Sequence, residues 1–238
     1  MAPRFDDVSA NCPRLMPEGN PVRRLVVLLH GVASDASQLF RLAQDWRRLL
    51  PDTAFVAPNG PQPCPDADGS RQWFPLPSFE PAVRRAGVAA AAPALDAWLN
   101  QERDRHQLRD SDIALVGFSQ GALMALAVGL RRSRPIAAIV SFSGILVDAD
   151  QPEAGRLPGD IASRPPVLLV HGADDTVIPP KALELTARVL TAAGVPHQGQ
   201  VLKGVGHAPG ARGVISAGRF LARAFGLPER PPSRRQAI

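Results

Sequence analysis

The chain has 238 residues, 45% of them hydrophobic and 21% charged, an ordinary balance for a globular protein with enough length to bury a substantial core. Its net charge of +5 raises the question of nucleic-acid binding, yet 25 of its 27 basic residues are arginines scattered as short pairs such as Arg23-Arg24, Arg84-Arg85 and Arg131-Arg132. A nucleic-acid binder would carry a basic stripe with interleaved aromatics or a recognisable module, so the charge is read as bearing on solubility and no nucleic-acid partner is expected.

At the N-terminus, Asp6 and Asp7 stand where a secretory leader needs a basic start and then an apolar run. Residues 1–21 could add one or two strands at a sheet edge. The apolar run 25–29 predicts a central strand, followed by a helix at 37–49 and a strand at 54–56. Residues 58–81 hold seven prolines, which predicts an extended loop. A loop of that length in a compact domain is often functional. A helix is expected at 81–100; its uncharged stretch 86–95 is mostly alanine, is broken by Pro93 and is too short to span a bilayer.

Strands at 113–116, 136–142, 167–170 and 198–202 then alternate with helices at 120–130, 180–193 and 214–225. Pro180 near the start of its helix and Gly194 just past its end fit the usual start and stop signals. Residues 227–238 have the composition of a disordered tail. The apolar residues of the strands do not alternate with polar ones, as expected where both faces of a parallel sheet are covered. The whole pattern predicts one α/β domain over 1–226, with a mostly parallel central sheet and helices on both faces. Cys12 and Cys64 are too few for a disulfide framework, so the expectation is a cytoplasmic protein without stable membrane insertion.

The chemistry is concentrated in Gly117-Phe118-Ser119-Gln120-Gly121, a G-x-S-x-G sequence. Five residues with three fixed are weak evidence alone. Here an apolar strand runs straight into them and an almost wholly apolar helix starts straight after, which is the strand-turn-helix setting of a nucleophile elbow. The bland alternative is a glycine-lined turn whose serine caps the helix. A serine hydroxyl needs a base to take its proton, and the base must be held in place. On this fold the acid and the histidine follow the serine in that order. His171-Gly172-Ala173-Asp174-Asp175 supplies the acid after the 167–170 strand, and spacing alone does not choose between Asp174 and Asp175. His207 in Gly204-Val205-Gly206-His207 is the base by order and elimination. His30 and His171 precede glycines at strand ends and read as structural, His106 sits in a charged and solvated loop, and His197 precedes the last strand. The His171–Asp175 cluster could also hold a divalent metal, but a serine site accounts for it without one. The oxyanion donors expected are the Gln120 N–H and the Val32 N–H, the latter in the turn after Leu28-Leu29-His30-Gly31.

With these segments placed, the chain resembles the phospholipase/carboxylesterase family of α/β-hydrolases, which includes the acyl-protein thioesterases. The resemblance rests on Leu29-His30-Gly31, Ala57-Pro58-Asn59-Gly60-Pro61, Trp73-Phe74, Gly117-Phe118-Ser119-Gln120-Gly121-Ala122, Phe142-Ser143-Gly144, His171-Gly172-x-x-Asp175-x-x-Ile178-Pro179 and Gly206-His207. It implies Ser119, Asp175 and His207 as the catalytic set, and Val32 and Gln120 as oxyanion donors. It also implies Trp73 and Phe74 as part of an acyl-binding wall, against the alternative that they anchor the long loop on the core. The stretches 62–72 and 147–166 have their own proline-rich composition and flank the expected pocket mouth, so substrate preference does not carry over.

The expected activity is hydrolysis of small-molecule carboxylic esters with small or medium acyl chains, through an acyl-enzyme and without metal or organic cofactor. Thioester or lysophospholipid hydrolysis by the same triad is the nearest alternative. A non-catalytic binding protein on a hydrolase scaffold is the alternative from another class.

Overall fold

Residues 12–65, 67–151 and 161–228 are described by a computed structural model. The first half of the chain forms β1 (Arg14–Leu15), β2 (Arg24–Leu29), α1 (Ser37–Trp46), β3 (Thr53–Val56), β4 (Gln62–Pro63), β5 (Arg71–Gln72) and α2 (Pro81–Arg105). The second half forms β6 (Ile113–Phe118), α3 (Gln120–Arg131), β7 (Ala138–Phe142), β8 (Val167–Gly172), α4 (Lys181–Ala192), β9 (His197–Leu202) and α5 (Ala211–Ala224). Seven strands make one sheet in the order β1-β3-β2-β6-β7-β8-β9. Every pairing in it is parallel except β1 with β3 at the edge.

Side chains of a strand point to alternate faces, and here both faces are covered. Leu25, Val27 and Leu29 of β2 join Leu115 of β6 under α2, α3 and α4; Val26 and Leu28 join Val116 on the opposite face, under α1 and α5. This is why the runs read as continuously apolar. Helix α3 is buried from Gln120 to Leu130, so it lies directly on the sheet and carries the turn before it into the middle of the molecule.

Several boundaries depart from expectation. Helix α2 runs past residue 100 to Arg105, because its last turn is held by charge that apolar periodicity does not register. Glu102 is buried there and accepts the Arg14 guanidinium at 2.9 Å. Pro93 lies inside α2 on an exposed face, where the carbonyl it leaves without an N–H partner meets water. Helix α5 starts before the expected residue 214. The supposed loop 58–81 contains the β4–β5 hairpin, whose short strands are reinforced by Arg71 Nε donating to the Gly60 carbonyl at 2.9 Å and Gln72 Nε2 to the Pro63 carbonyl at 3.0 Å. One edge strand, β1, comes from the 1–21 segment; residues 1–11 lie outside the described residues, as do 152–160 and the expected tail from 229 onward. Among the described residues no helix is long and apolar enough to cross a membrane.

Candidate active site

The carboxyl ends of β2, β6, β8 and β9 lie along one edge of the sheet, in register at Leu29 with Gly117 and at Gly172 with Leu202. Open α/β sheets bind ligands outside such an edge. Ser119 stands between β6 and α3 with φ 53° and ψ −119°, a conformation that is strained for a residue with a side chain. Packing on both sides imposes it. A Cβ on Gly117 would lie 2.2 Å from the Gly121 carbonyl oxygen, and one on Gly121 would lie 2.1 Å from that of Leu29. Only glycines let α3 start this close to the sheet. The Ser119 N–H donates to the Phe142 carbonyl at 2.9 Å, which ties the turn to β7.

From Ser119 a hydrogen-bonded line runs inward. Ser119 Oγ is 3.0 Å from His207 Nε2, and His207 Nδ1 is 2.8 Å from Asp175 Oδ2. The other Asp175 oxygen accepts the Val177 and Ile178 N–H groups, each at 2.9 Å. A carboxylate accepts only, so His207 carries its proton on Nδ1 and turns a lone pair on Nε2 towards the serine. Burial works to raise the Asp175 pKa, but the bonds from His207 and the Ile178 N–H outweigh it and hold the group below its ordinary value. The carboxylate is therefore charged at neutral pH. Asp174, one residue earlier, is exposed. Burial separates two aspartates that spacing does not.

The chain after β2 closes the other side. A Cβ on Gly31 would lie 3.3 Å from that of Ser119, so the Gly31-Val32 turn borders the serine directly. The Gly31 N–H is taken by Gln38 Oε1 at 2.9 Å, and the Ala36 N–H by Asn59 Oδ1 at 2.7 Å. Gln120 opens α3, where the first N–H groups of a helix have no carbonyl in a preceding turn to meet. Trp73 and Phe74 are each 1% exposed and belong to the core cluster. What their geometry displays is anchoring of the long segment beside the elbow.

The sequence model of the Phospholipase/Carboxylesterase family matches residues 10–224. The chain belongs to the phospholipase/carboxylesterase family. A solved esterase, PE8, is 40% identical and superposes with a TM-score of 0.83, covering 90% of this chain and 98% of its own. Esterase YpfH of Escherichia coli (strain K12) is 26% identical over 188 residues, 79% of this chain and 77% of its own. Acyl-protein thioesterase 1 of Gibberella zeae is 25% identical over 207 residues, 82% of this chain and 88% of its own. The chain is an ester hydrolase with the α/β-hydrolase fold.

In this phospholipase/carboxylesterase member the remaining histidines are held elsewhere. His30 accepts the Gly60 N–H on Nε2 at 2.8 Å. His171 lies 2.8 Å from the Ile178 carbonyl through Nε2, and burial lowers its pKa, so it braces the aspartate loop as a neutral ring. His197 is the first residue of β9 rather than a residue before it, and bonds to the Val195 carbonyl at the opposite end of the sheet. His106, expected to be solvated, is half-buried against Glu102, and burial lowers its pKa. Among the described residues no three His, Cys, Asp or Glu side chains are grouped to hold a metal ion. His171, read as structural from its place before Gly172, does brace the aspartate loop. Asn59, which accepts the Ala36 N–H, lies in the Ala57–Pro61 motif, whereas Gln38, which accepts the Gly31 N–H, lies in no motif segment and was not singled out.

Proposed function

We propose that the chain is a serine carboxylesterase acting on small-molecule esters with small or medium acyl chains through a covalent acyl-enzyme. The observation that carries this reading is the line from Ser119 Oγ through His207 to a charged Asp175, at 3.0 and 2.8 Å. In the proposed cycle His207 Nε2 takes the hydroxyl proton as Ser119 Oγ bonds to the acyl carbon. The carbonyl oxygen becomes an oxyanion, held by the Val32 and Gln120 N–H groups. Its collapse expels the alcohol, which leaves with the proton from His207. Water, activated by the same ring, then releases the acid and restores Ser119. Asp175 keeps the imidazole in the required tautomer and stabilises its charged form. Trp73 and Phe74 enter this reading as supports beneath the acyl site; their burial favours that part over a contact wall.

The test is Ser119→Ala, which should melt like the wild type and lose p-nitrophenyl ester hydrolysis across a panel of acyl lengths. Undiminished turnover would overturn the reading. Thioester hydrolysis is kept as a second reading because a relative matched over 82% of this chain is named an acyl-protein thioesterase. Competing ester and thioester substrates of equal acyl length separate the two.

A further inference from the structure

Gln120 is 1% exposed, and its side-chain amide faces the backbone of the long segment between β3 and α2. Oε1 accepts the Trp73 N–H at 2.9 Å, and Nε2 donates to the Phe74 carbonyl at 2.8 Å. One side chain thus pairs with a donor and an acceptor as a neighbouring strand would. Trp73 then sends its indole N–H to the His30 carbonyl at 2.8 Å, with its ring centroid 5.4 Å from the imidazole. His30 accepts the Gly60 N–H on Nε2 at 2.8 Å, which puts its own proton on Nδ1, 2.7 Å from the Gly31 carbonyl. Burial pushes the His30 pKa down to about 4, so this ring stays neutral and able to accept at neutral pH.

These bonds form a bridge across the elbow. One end is the residue whose N–H is proposed as the first oxyanion donor, and the other is the His30-Gly31 peptide that precedes Val32, the second. The pairing of β2 with β6 ends at Leu29 and Gly117, and Val32 lies three residues beyond. Something must set the spacing between two donors carried on different chain segments. We propose that the Gln120 side chain and Trp73 are positioning residues that hold the Val32 and Gln120 N–H groups at the separation an oxyanion requires. This rests on the reading of Ser119 as nucleophile given above. The segment between β3 and α2 acts here as a clamp, with its aromatic pair turned into the core.

Gln120→Met keeps the backbone N–H and nearly the same volume but removes both amide bonds. Trp73→Phe keeps an aromatic ring and removes the indole N–H. Steady-state constants for p-nitrophenyl butyrate are measured with active sites counted by fluorophosphonate labelling. They are set beside the inhibition constant of an alkyl trifluoromethyl ketone. Ser119 Oγ adds to that ketone carbon, His207 receives the proton, and the ketone oxygen becomes an oxyanion in the hole. In each variant kcat per active site should fall about 10- to 100-fold while KM stays within about twofold, since misplaced donors weaken the transition state and not the ground state. The ketone should lose affinity in step with kcat/KM. Gln120→Glu can accept from Trp73 and donate to Phe74 only while its carboxyl is protonated, so its kcat relative to the wild type should fall as pH rises.

A lower Tm with unchanged kcat per active site and unchanged ketone affinity would overturn the inference. Should Gln120→Met fail to fold, Trp73→Phe and Gln120→Glu carry the same readouts. Turnover retained by Ser119→Ala would defeat the nucleophile reading itself. An inactive Ser119→Ala beside a fully active Gln120→Met and Trp73→Phe would defeat only the clamp.

Discussion

Replacing Gly121 with alanine sets two effects against each other. Inside a helix alanine is favoured over glycine by about 1 kcal/mol, through propensity and the narrower freedom of the unfolded chain. At this position the added Cβ would lie 2.1 Å from the Leu29 carbonyl oxygen and 2.5 Å from that of His30. Both neighbours are backbone, with no flexible end to yield. To reach even 3.0 Å, α3 must withdraw from β2 by about 0.9 Å, and a close-packed interior transmits such a shift. Overpacking of this kind costs about 1–3 kcal/mol, so after the helical gain the net loss is about 0–2 kcal/mol. For a domain of this size that lowers Tm by no more than about 8 °C. The effect on rate should be larger, because α3 carries both the Gln120 N–H and the turn of Ser119 away from Val32. A misplacement near 1 Å lowers turnover by about 100-fold. The expected signature is therefore a small fall in Tm with a large fall in kcat, measured by thermal melts and p-nitrophenyl ester hydrolysis. A Gly121→Ala protein with wild-type kcat and wild-type Tm would refute the steric account of the elbow.

Asp175→Asn keeps the shape of the acid but lets an amide N–H face His207 Nδ1, which moves the imidazole proton to Nε2 and away from its duty towards Ser119. Steady-state kinetics at neutral pH should show kcat lower by about 10⁴-fold with KM little changed; a loss below about tenfold would contradict the assigned role. A second expectation concerns pH and His30. Its pKa is lowered from 6.5 to about 4 in the folded state, so between those values the unfolded chain binds a proton that the folded chain refuses. Stability should fall as pH drops from 6.5 towards 4 and then stop responding to this group. In His30→Gln, whose amide oxygen can still accept the Gly60 N–H, melts across that range should give a flatter profile. His171, lowered by the same cause, leaves part of the slope in place. An unchanged slope would mean that His30 is protonated in the fold.

The layered architecture and the elbow were legible because they rest on local order. Continuous apolar runs announce strands buried on two faces, and glycines at 117 and 121 announce a turn too tight for side chains. What depends on tertiary contact was not legible. Asp174 and Asp175 are chemically identical neighbours; the family pattern points to the second, and only the fold turns it inward. His106 looks solvated among charged residues, yet the buried Glu102 draws it against α2. The prolines of 58–81 hide a hairpin, since they mark where N–H donors are missing and say nothing about the Arg71 and Gln72 side chains that supply others. Gln120 reads as the neighbour of a nucleophile, and no periodicity reveals where its amide points.

The place of β9 has a consequence for synthesis. It is one of the two edge strands of the sheet, among the described residues it pairs with β8 alone, and the turn after it carries His207. A chain growing from its N-terminus therefore exposes Ser119 first, the aspartate next and the proposed base last of all. Until that final strand docks, a nascent chain can have its elbow formed and still lack any means of drawing off the hydroxyl proton. Turnover would then begin only once the sheet is complete.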